Sequence, residues 1–440
     1  VADRQHQRTY NVKAVVQETG LTADTLRAWE RRYGVPQPGR TSGGQRVYSQ
    51  DDVDQLKWLA GQLRLGVTIS RAIDRWRARA TELPVGSSST ALAVPAQPTP
   101  TALREEWLDA CLAFDESRAE AVLLRAFNTL PADVVCQEVL NAGINQVGEA
   151  WFAGSVSVPQ EHFTTELATR QIERLIANAP APWRNHRLLV GCPEGETHAF
   201  GPLLFSLFLR WRGWDVVFLG ADTPLGPWPD VVARIKPALV ILGAQRLATA
   251  ASLLDLARPT RPLGAPLAFG GRAFTVYPSL VSKVPGVYLG EELTRASGTV
   301  EQVTAGQLEP PPPQPIPAVF VRARQHLRER LPFLETELAQ LVAAQPALDP
   351  GYVAVANRFL GEAILAALAF GDLSLLSREL GWTTALLTNH GLPAVALHGY
   401  LRAYLGAASA VLGEPGQPVI AWLRAYVEAA APRQPERNLE

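Results

Sequence analysis

A chain of 440 residues is too long for one ordinary core, so three or four domains are expected. Hydrophobic residues make up 47% and charged residues 19%, the balance of a globular chain rather than a disordered one. No basic-then-apolar leader opens the sequence, and the longest apolar stretch, near Ala363–Phe370, falls short of the ~20 residues a membrane span needs. Cys111, Cys136 and Cys192 are widely spaced and make no CxxC, which argues against a disulfide framework or a zinc site and fits a reducing cytoplasm with no membrane attachment. The net charge of −1 hides an asymmetry: residues 1–80 hold 12 Arg and 2 Lys against 8 Asp plus Glu, a local +6, which leaves −7 for the rest. A basic module on an acidic body is the footprint that phosphate binding requires.

In the first module a helix from about Val12 to Thr19 precedes the stretch Leu21-Thr-Ala-Asp-Thr-Leu-Arg-Ala-Trp-Glu-Arg-Arg-Tyr-Gly34. Thr22 is placed to cap a second helix and Gly34 to end it. Arg27, Arg31 and Arg32 fall on overlapping faces of that helix, and a guanidinium fork suits both guanine edges and phosphates. Arg40-Thr-Ser-Gly-Gly-Gln-Arg-Val-Tyr48 then reads as a Gly-Gly hairpin flanked by basic and aromatic residues, suited to gripping a phosphate backbone. A solvated charged helix followed by a hairpin is the plainer alternative, and the order of elements decides between them. Across residues 9–78 the run TLRAWERRYG…P.R…GG.R.Y strongly resembles the MerR family of winged-helix regulators. The resemblance implies binding to double-stranded operator DNA as a dimer. It places Arg27, Trp29, Arg31 and Arg32 in the reading helix and Arg40, Arg46 and Tyr48 in the wing, with Arg31 and Trp29 also open to a packing role. The long dimerisation helix of simple members is replaced here by a Ser/Thr/Ala/Pro-rich linker, residues 81–100, so homo-oligomerisation falls to another part of the chain.

Residues 101–180 carry apolar positions at helical spacing, as in Leu103, Trp107, Leu108, Cys111 and Leu112, and predict helices only. From 186 to 306 the pattern changes. Five short apolar runs, beginning at Leu188, Val216, Leu239, Leu267 and Gly286 and each closing on glycine, alternate with helical stretches and predict a parallel sheet covered on both faces. Directly after the first run comes Glu194-Gly-Glu-Thr-His-Ala-Phe-Gly201, at the carboxyl end of a strand, where open α/β folds bind ligands. Glu196-x-His198 sets an imidazole two residues after a carboxylate, so one ring nitrogen can ligate a metal while the other is oriented. A lone histidine is more often structural, but this position favours function.

The pattern Glu196-x-His198-x-x-Gly201 resembles the cobalamin-binding signature Asp-x-His-x-x-Gly, with Glu196 in the acid position. The resemblance implies that His198 is the lower ligand of cobalt. It also implies that Gly270 and Gly271 let the nucleotide tail pass close to backbone. Gly243, in Leu242-Gly243-Ala244, lies where the family carries a Ser-containing turn, and the Ser is missing. Upstream, Trp151 is followed after nine residues by Glu161-His162, which resembles the cap of the light-sensing, adenosylcobalamin-dependent MerR repressors of the CarH/LitR type. There the Trp and the Glu-His pair pack over the adenosyl group. One position departs from the pattern: the His that follows the Trp in those photoreceptors, their second cobalt ligand after light, is Phe152 here and cannot ligate.

A Pro-rich linker, residues 307–317, is expected to be stiff and extended, and residues 318–432 read as about five helices. His390, His398 and Arg402 cluster late among aromatic residues, so this module can hold a second ligand such as a bilin or a haem, with Arg402 on a propionate; the likeness to the bilin domain of photocobilins is one of pattern only. The same helices equally suit dimerisation or partner docking. The expected fold class is therefore multidomain α and α/β: a winged helix-turn-helix, a four-helix cap, a Rossmann-like cobalamin-binding domain and a C-terminal all-α domain. The expected function is a non-enzymatic, cytoplasmic transcription regulator controlled by adenosylcobalamin and light. A cobalamin enzyme fragment would need a substrate domain, and the sequence encodes neither that nor another catalytic motif.

Overall fold

The computed structural model describes residues 10–41, 44–64, 69, 72–73, 76, 98–224, 226–260, 263–343, 350–390 and 394–429. The tip of the expected wing at 42–43, most of the first linker and the joint at 391–393 lie outside the described residues.

The N-terminal module is built from β1 (Tyr10–Asn11), α1 (Val12–Thr19), α2 (Ala23–Tyr33), β2 (Gly39–Arg40), β3 (Arg46–Tyr48) and α3 (Gln50–Arg64). Asn11 caps α1, and Thr22 caps α2 by accepting from the Thr25 amide. Gly20 and Gly34 end the two helices in the left-handed conformation. The strands form a small antiparallel sheet in the order β1-β3-β2, with Arg40 paired to Arg46 across the hairpin. Val15, Leu26, Trp29, Val35, Tyr48, Val53, Leu56 and Leu59 make its core.

The cap comprises α4 (Pro100–Leu112), α5 (Glu116–Thr129), the short α6 (Ala132–Val134) that runs through a π-helical segment (Val135–Asn141) into α7 (Ala142–Phe152), and α8 (Val158–Ala177). Trp107 of α4 is fully buried, and Gly143 makes room for it: a Cβ there would lie 2.7 Å from the indole. Cys111, Cys136 and Cys192 are all buried and unpaired.

The Rossmann-like domain follows as β4 (Arg187–Gly191), α9 (Phe200–Trp211), β5 (Asp215–Phe218), α10 (Trp228–Ile235), β6 (Leu239–Gly243), α11 (Leu247–Thr260), β7 (Leu267–Gly270), α12 (Arg272–Val276), a 3-10 turn (Pro278–Lys283), β8 (Val287–Tyr288) and α13 (Leu293–Thr304). The five strands pair in parallel in the order β5-β4-β6-β7-β8, so all five predicted runs are strands. Alternate residues face opposite sides, as a pleat requires. Leu189, Val240, Leu242, Leu267 and Phe269 meet α11, while Leu188, Val190, Ile241 and Ala268 meet α9 and α13. Helix α9 is apolar all round because it is covered twice. Phe205 and Leu209 lie on the sheet, and Leu203, Leu204, Leu207 and Phe208 enter the core of the cap. That shared helix fixes the cap beside the start of the ligand loop.

The C-terminal module has five helices: α14 (Ala318–Ala343), α15 (Pro350–Phe370), α16 (Leu375–Asn389), α17 (Ala394–Val411) and α18 (Gln417–Ala429), with a 3-10 turn (Glu414–Gly416) before the last. The expected stiff spacer does not hold this module apart. The Gln314 amide in the linker donates to Ser282, and the apolar residues of α14–α18 form one continuous core with α11 and the sheet. Arg324 of α14 makes a bidentate pair with Asp255 of α11, both bonds 2.8 Å, and donates to the Leu365 carbonyl. The sequence pattern also understated one apolar run. Val353–Phe370 is long and apolar enough to cross a membrane by length and composition alone, yet 56% of that window is buried, and α15 packs on α11 and α14. The run is apolar because it is packed from two sides.

Candidate functional site

In the DNA-facing module the structure divides the predicted residues in two. Arg27, Arg31, Arg32 and Arg40 are exposed. Trp29 and Tyr48 are buried, at 7% and 1% exposure, so they hold the reading helix and the wing together rather than touch DNA. Arg46 is half-buried, and its Nε donates to Glu30 of α2 at 2.7 Å, which ties the wing to the reading helix. The reason is geometric: β3 is the middle strand and packs on α1, and Tyr48 enters one core with Leu26 and Trp29 of α2.

The second site lies at the carboxyl end of the sheet. The chain leaves β4 for β5 on one side and continues to β6 on the other, so β4 and β6 flank the switch point where ligands of open α/β sheets bind. Glu196 and His198 sit on the loop that follows β4. Glu196 is fully buried (0% exposed). Its Oε1 accepts from His198 Nδ1 at 2.6 Å and from the His198 amide at 3.0 Å. Its Oε2 accepts from the Gln245 amide at 2.7 Å and from Thr249 Oγ1 at 2.5 Å. Burial alone would raise the Glu196 pKa; the four hydrogen bonds outweigh it and hold the carboxyl down to about 2. The ionised carboxylate fixes the His198 tautomer with its proton on Nδ1. The Nε2 lone pair of a ring that is 62% exposed is left available to a metal.

The loop is held from both sides. The Gly195 amide donates to Asp222 after β5, the Asp222 amide donates back to the Glu196 carbonyl, and Arg246 after β6 donates to the Gly195 carbonyl at 2.6 Å. Gly201 lies in the first turn of α9, facing Gln245. Gly243 backs on Pro202, where a Cβ would come within 2.7 Å of the ring. Gly271 has φ +108°, and a Cβ there would collide with the Ala244 carbonyl, so the ends of β6 and β7 meet backbone to backbone. No Ser stands in the turn at Leu242–Ala244, and the hydroxyl of this region, Thr249, is spent on Glu196.

In the cap, α7 ends with Trp151 and Phe152, and the start of α8 carries Glu161 and His162; Trp151 packs on a core that includes Phe200, two residues beyond His198. The Trp151 Nε1 is buried with no hydrogen-bond partner, as a group awaiting a ligand would be. Glu161 accepts from Thr165 at 3.0 Å, and its Oε2 lies 3.6 Å from Nε2 of His162, whose side chain is 75% exposed. An exposed ring nitrogen oriented by a buried carboxylate, and in the adjoining cap an indole N–H with no partner, suit the metal and the polar edge of a cobalamin.

The three residues expected at a second ligand do not form one set. His390 packs on Trp151, whereas His398 Nε2 accepts from Arg402 at 3.1 Å, so Arg402 is committed to a neighbour on its own helix. No hydrogen bond or ring contact among the described residues joins His390 to that pair. Thr249, Gln245 and Arg246 are the site residues that pattern reading missed. Their signal was position alone, at the end of β6 across the switch point from β4.

Residues 10–77 match the MerR HTH family regulatory protein family, and residues 103–176 match the family described as B12 binding domain. The HTH-type transcriptional repressor CarH of Myxococcus xanthus is 32% identical over 298 residues, 67% of this chain and 99% of the repressor. The chain belongs to the CarH family of MerR-type regulators. The repressor CarA of the same organism is 30% identical over 270 residues, covering 60% of this chain and 86% of CarA. The dimethylamine corrinoid protein 2 of Methanosarcina acetivorans is 26% identical over 145 residues, covering 32% of this chain and 67% of its own. This CarH-family chain is thus a DNA-binding transcriptional regulator with a cobalamin-binding domain, not an enzyme. It is longer than CarH, which 298 of its 440 residues match almost entirely.

Proposed function

We propose that this CarH-family regulator is controlled by adenosylcobalamin and responds to light. The observation that carries the reading is the pairing of a buried, ionised Glu196 with the exposed Nε2 of His198 at the sheet's switch point, beneath a cap that ends in Trp151. When bound, the cofactor would supply a cobalt–carbon bond that light can break.

In this reading His198 would hold the cobalt, and Glu196 keeps its ring in the ligating tautomer. Gly270 would leave room for the nucleotide tail, while Gly243 and Gly271 let the strand ends close on Pro202 and Ala244 and so shape the edge it passes. Trp151 covers the upper group, and Glu161 and His162 bond its polar edge. Phe152 offers cobalt no nitrogen. Arg27, Arg31, Arg32 and Arg40 contact operator DNA in the cytoplasm, where paired modules on a palindromic site gain affinity from effective concentration. Oligomerisation then links cofactor state to DNA binding, because a ligand that favours one assembly shifts the population toward it.

The test is an absorbance spectrum of the full chain reconstituted in the dark with adenosylcobalamin, taken before and after green light, with sizing and operator-binding assays on both samples. A light-dependent cobalamin spectrum with a change in assembly or DNA affinity is expected. Bound cobalamin with neither change would sink the switch, and no bound cobalamin would sink the cofactor. A tetrapyrrole carried by the C-terminal module would show its own bands in the same spectra.

A further inference from the structure

Helix α16 touches both walls of the crevice. Near its start, Arg378 donates to the Val276 carbonyl at 2.7 Å, and the Tyr277 hydroxyl donates to Glu379 at 2.5 Å. Val276 and Tyr277 lie at the end of α12, one short helix beyond Gly270–Gly271. Farther along, the Trp382 ring stacks on Phe152, with centroids 5.5 Å apart and planes 22° apart. At its end, Asn389 donates to the Phe152 carbonyl at 2.9 Å, and His390 Nε2 donates to the Trp151 carbonyl at 3.1 Å with its ring 5.8 Å from the indole. Gly154 has φ +77°, and a Cβ there would lie 2.7 Å from the Asn389 carbonyl oxygen, so the two chains meet backbone to backbone. The twelve helical residues from 378 to 389 span about 18 Å, so one rigid element bridges the cap and the Rossmann-like domain.

We propose that α16 is a strap that sets how far the cap closes over the sheet, with Trp382, Asn389 and His390 as positioning residues that hold Trp151 in place. This rests on the cobalamin reading above. The cap end of the strap is built for release. It is held by two ring contacts, a close backbone approach and two hydrogen bonds at the surface, and Trp382 is 42% exposed. The rest of the module is anchored independently by the shared apolar core and the Arg324–Asp255 pair. An upper group that fits under Trp151 favours the strapped state, and by reciprocity the strap raises affinity for that group. The C-terminal module therefore reads which upper ligand cobalamin carries.

The experiment is hydrogen exchange on the full chain in the dark, for wild type, Trp382→Ala and Asn389→Ala, without cofactor and with adenosylcobalamin or hydroxocobalamin, alongside binding titrations. Without cofactor, both variants should exchange faster in residues 150–156 and in the last turn of α16, with α11 unchanged as the internal control for folding. Adenosylcobalamin affinity should fall roughly 5-fold or more, while hydroxocobalamin affinity stays at the wild-type value. Wild-type exchange at 150–156 in both variants would overturn the strap, as would equal loss of affinity for the two cobalamins. Wild type binding neither cobalamin would sink the cofactor reading instead, and exchange in the cofactor-free protein would still decide whether the strap exists.

Discussion

The two walls of the proposed cobalamin crevice are held in opposite ways. The lower wall is fixed within one domain: a buried carboxylate accepts four hydrogen bonds, and the loops after β4, β5 and β6 bond to one another around it. The upper wall is assembled from two regions far apart in the chain, and several of its side chains remain exposed. A buried, fully satisfied network is costly to distort, whereas surface contacts open at small cost. The lower wall is therefore suited to keep the cofactor and the upper wall to report its state.

Five substitutions sharpen or break that contrast. His198→Ala should have the largest effect, lowering the affinity for adenosylcobalamin and hydroxocobalamin alike by more than about 100-fold; equilibrium dialysis read by absorbance checks it. Loss of one form only would mean that the lower wall is not the common anchor. Next comes Arg324→Leu, which leaves Asp255 with only its more exposed arginine neighbours. It should destabilise the folded chain by about 2 kcal/mol in urea titrations.

That pair also sets a pH dependence. Burial alone would raise the Asp255 pKa, but the hydrogen bonds and charges of Arg324 and Arg328 outweigh it and hold the pKa below its ordinary value. A depressed carboxylate stabilises the fold above its unfolded pKa of ~4 and ceases to do so as pH falls through the folded value. The stability gap between wild type and Asp255→Asn should therefore be full at pH 7 and shrink as urea titrations are repeated toward pH 3.

Thr249→Val removes a hydroxyl from a carboxylate that stays buried. It should cost about 10-fold in affinity for either cobalamin, measured by the same dialysis. The smallest effect is expected on the upper wall. Glu161→Gln should weaken adenosylcobalamin by only a few-fold, about 1 kcal/mol or less, and leave hydroxocobalamin untouched. An effect on Glu161→Gln as large as that on His198→Ala would erase the distinction between the walls.

Much of the architecture was legible because its signals are local. Thr22 and Gly34 bracket the reading helix by capping chemistry, and glycine-terminated apolar runs mark all five strands. Glu196 and His198 were legible as a pair because two residues and one turn suffice to join them. Arg27, Arg31 and Arg32 were legible as an exposed face, but the inward turn of Trp29 and Tyr48 was not, since a basic and aromatic hairpin looks the same whichever side packs on the helix.

What the sequence determined by itself is thus the set of elements, the order of the modules and the chemistry of the ligand loop. All of these depend on residues within a turn or two of one another. Only the tertiary structure decided which distant groups complete the site. Thr249 reaches Glu196 across 53 residues because parallel pairing sets β6 beside β4, and Asn389 reaches Phe152 across 237 because α15 docks its apolar face on α11 and carries α16 over the cap. An apolar face announces that it will be buried but does not name its partner, because hydrophobic burial is non-directional. Strand register and helix docking choose the partner, and with it the residues that meet at the crevice.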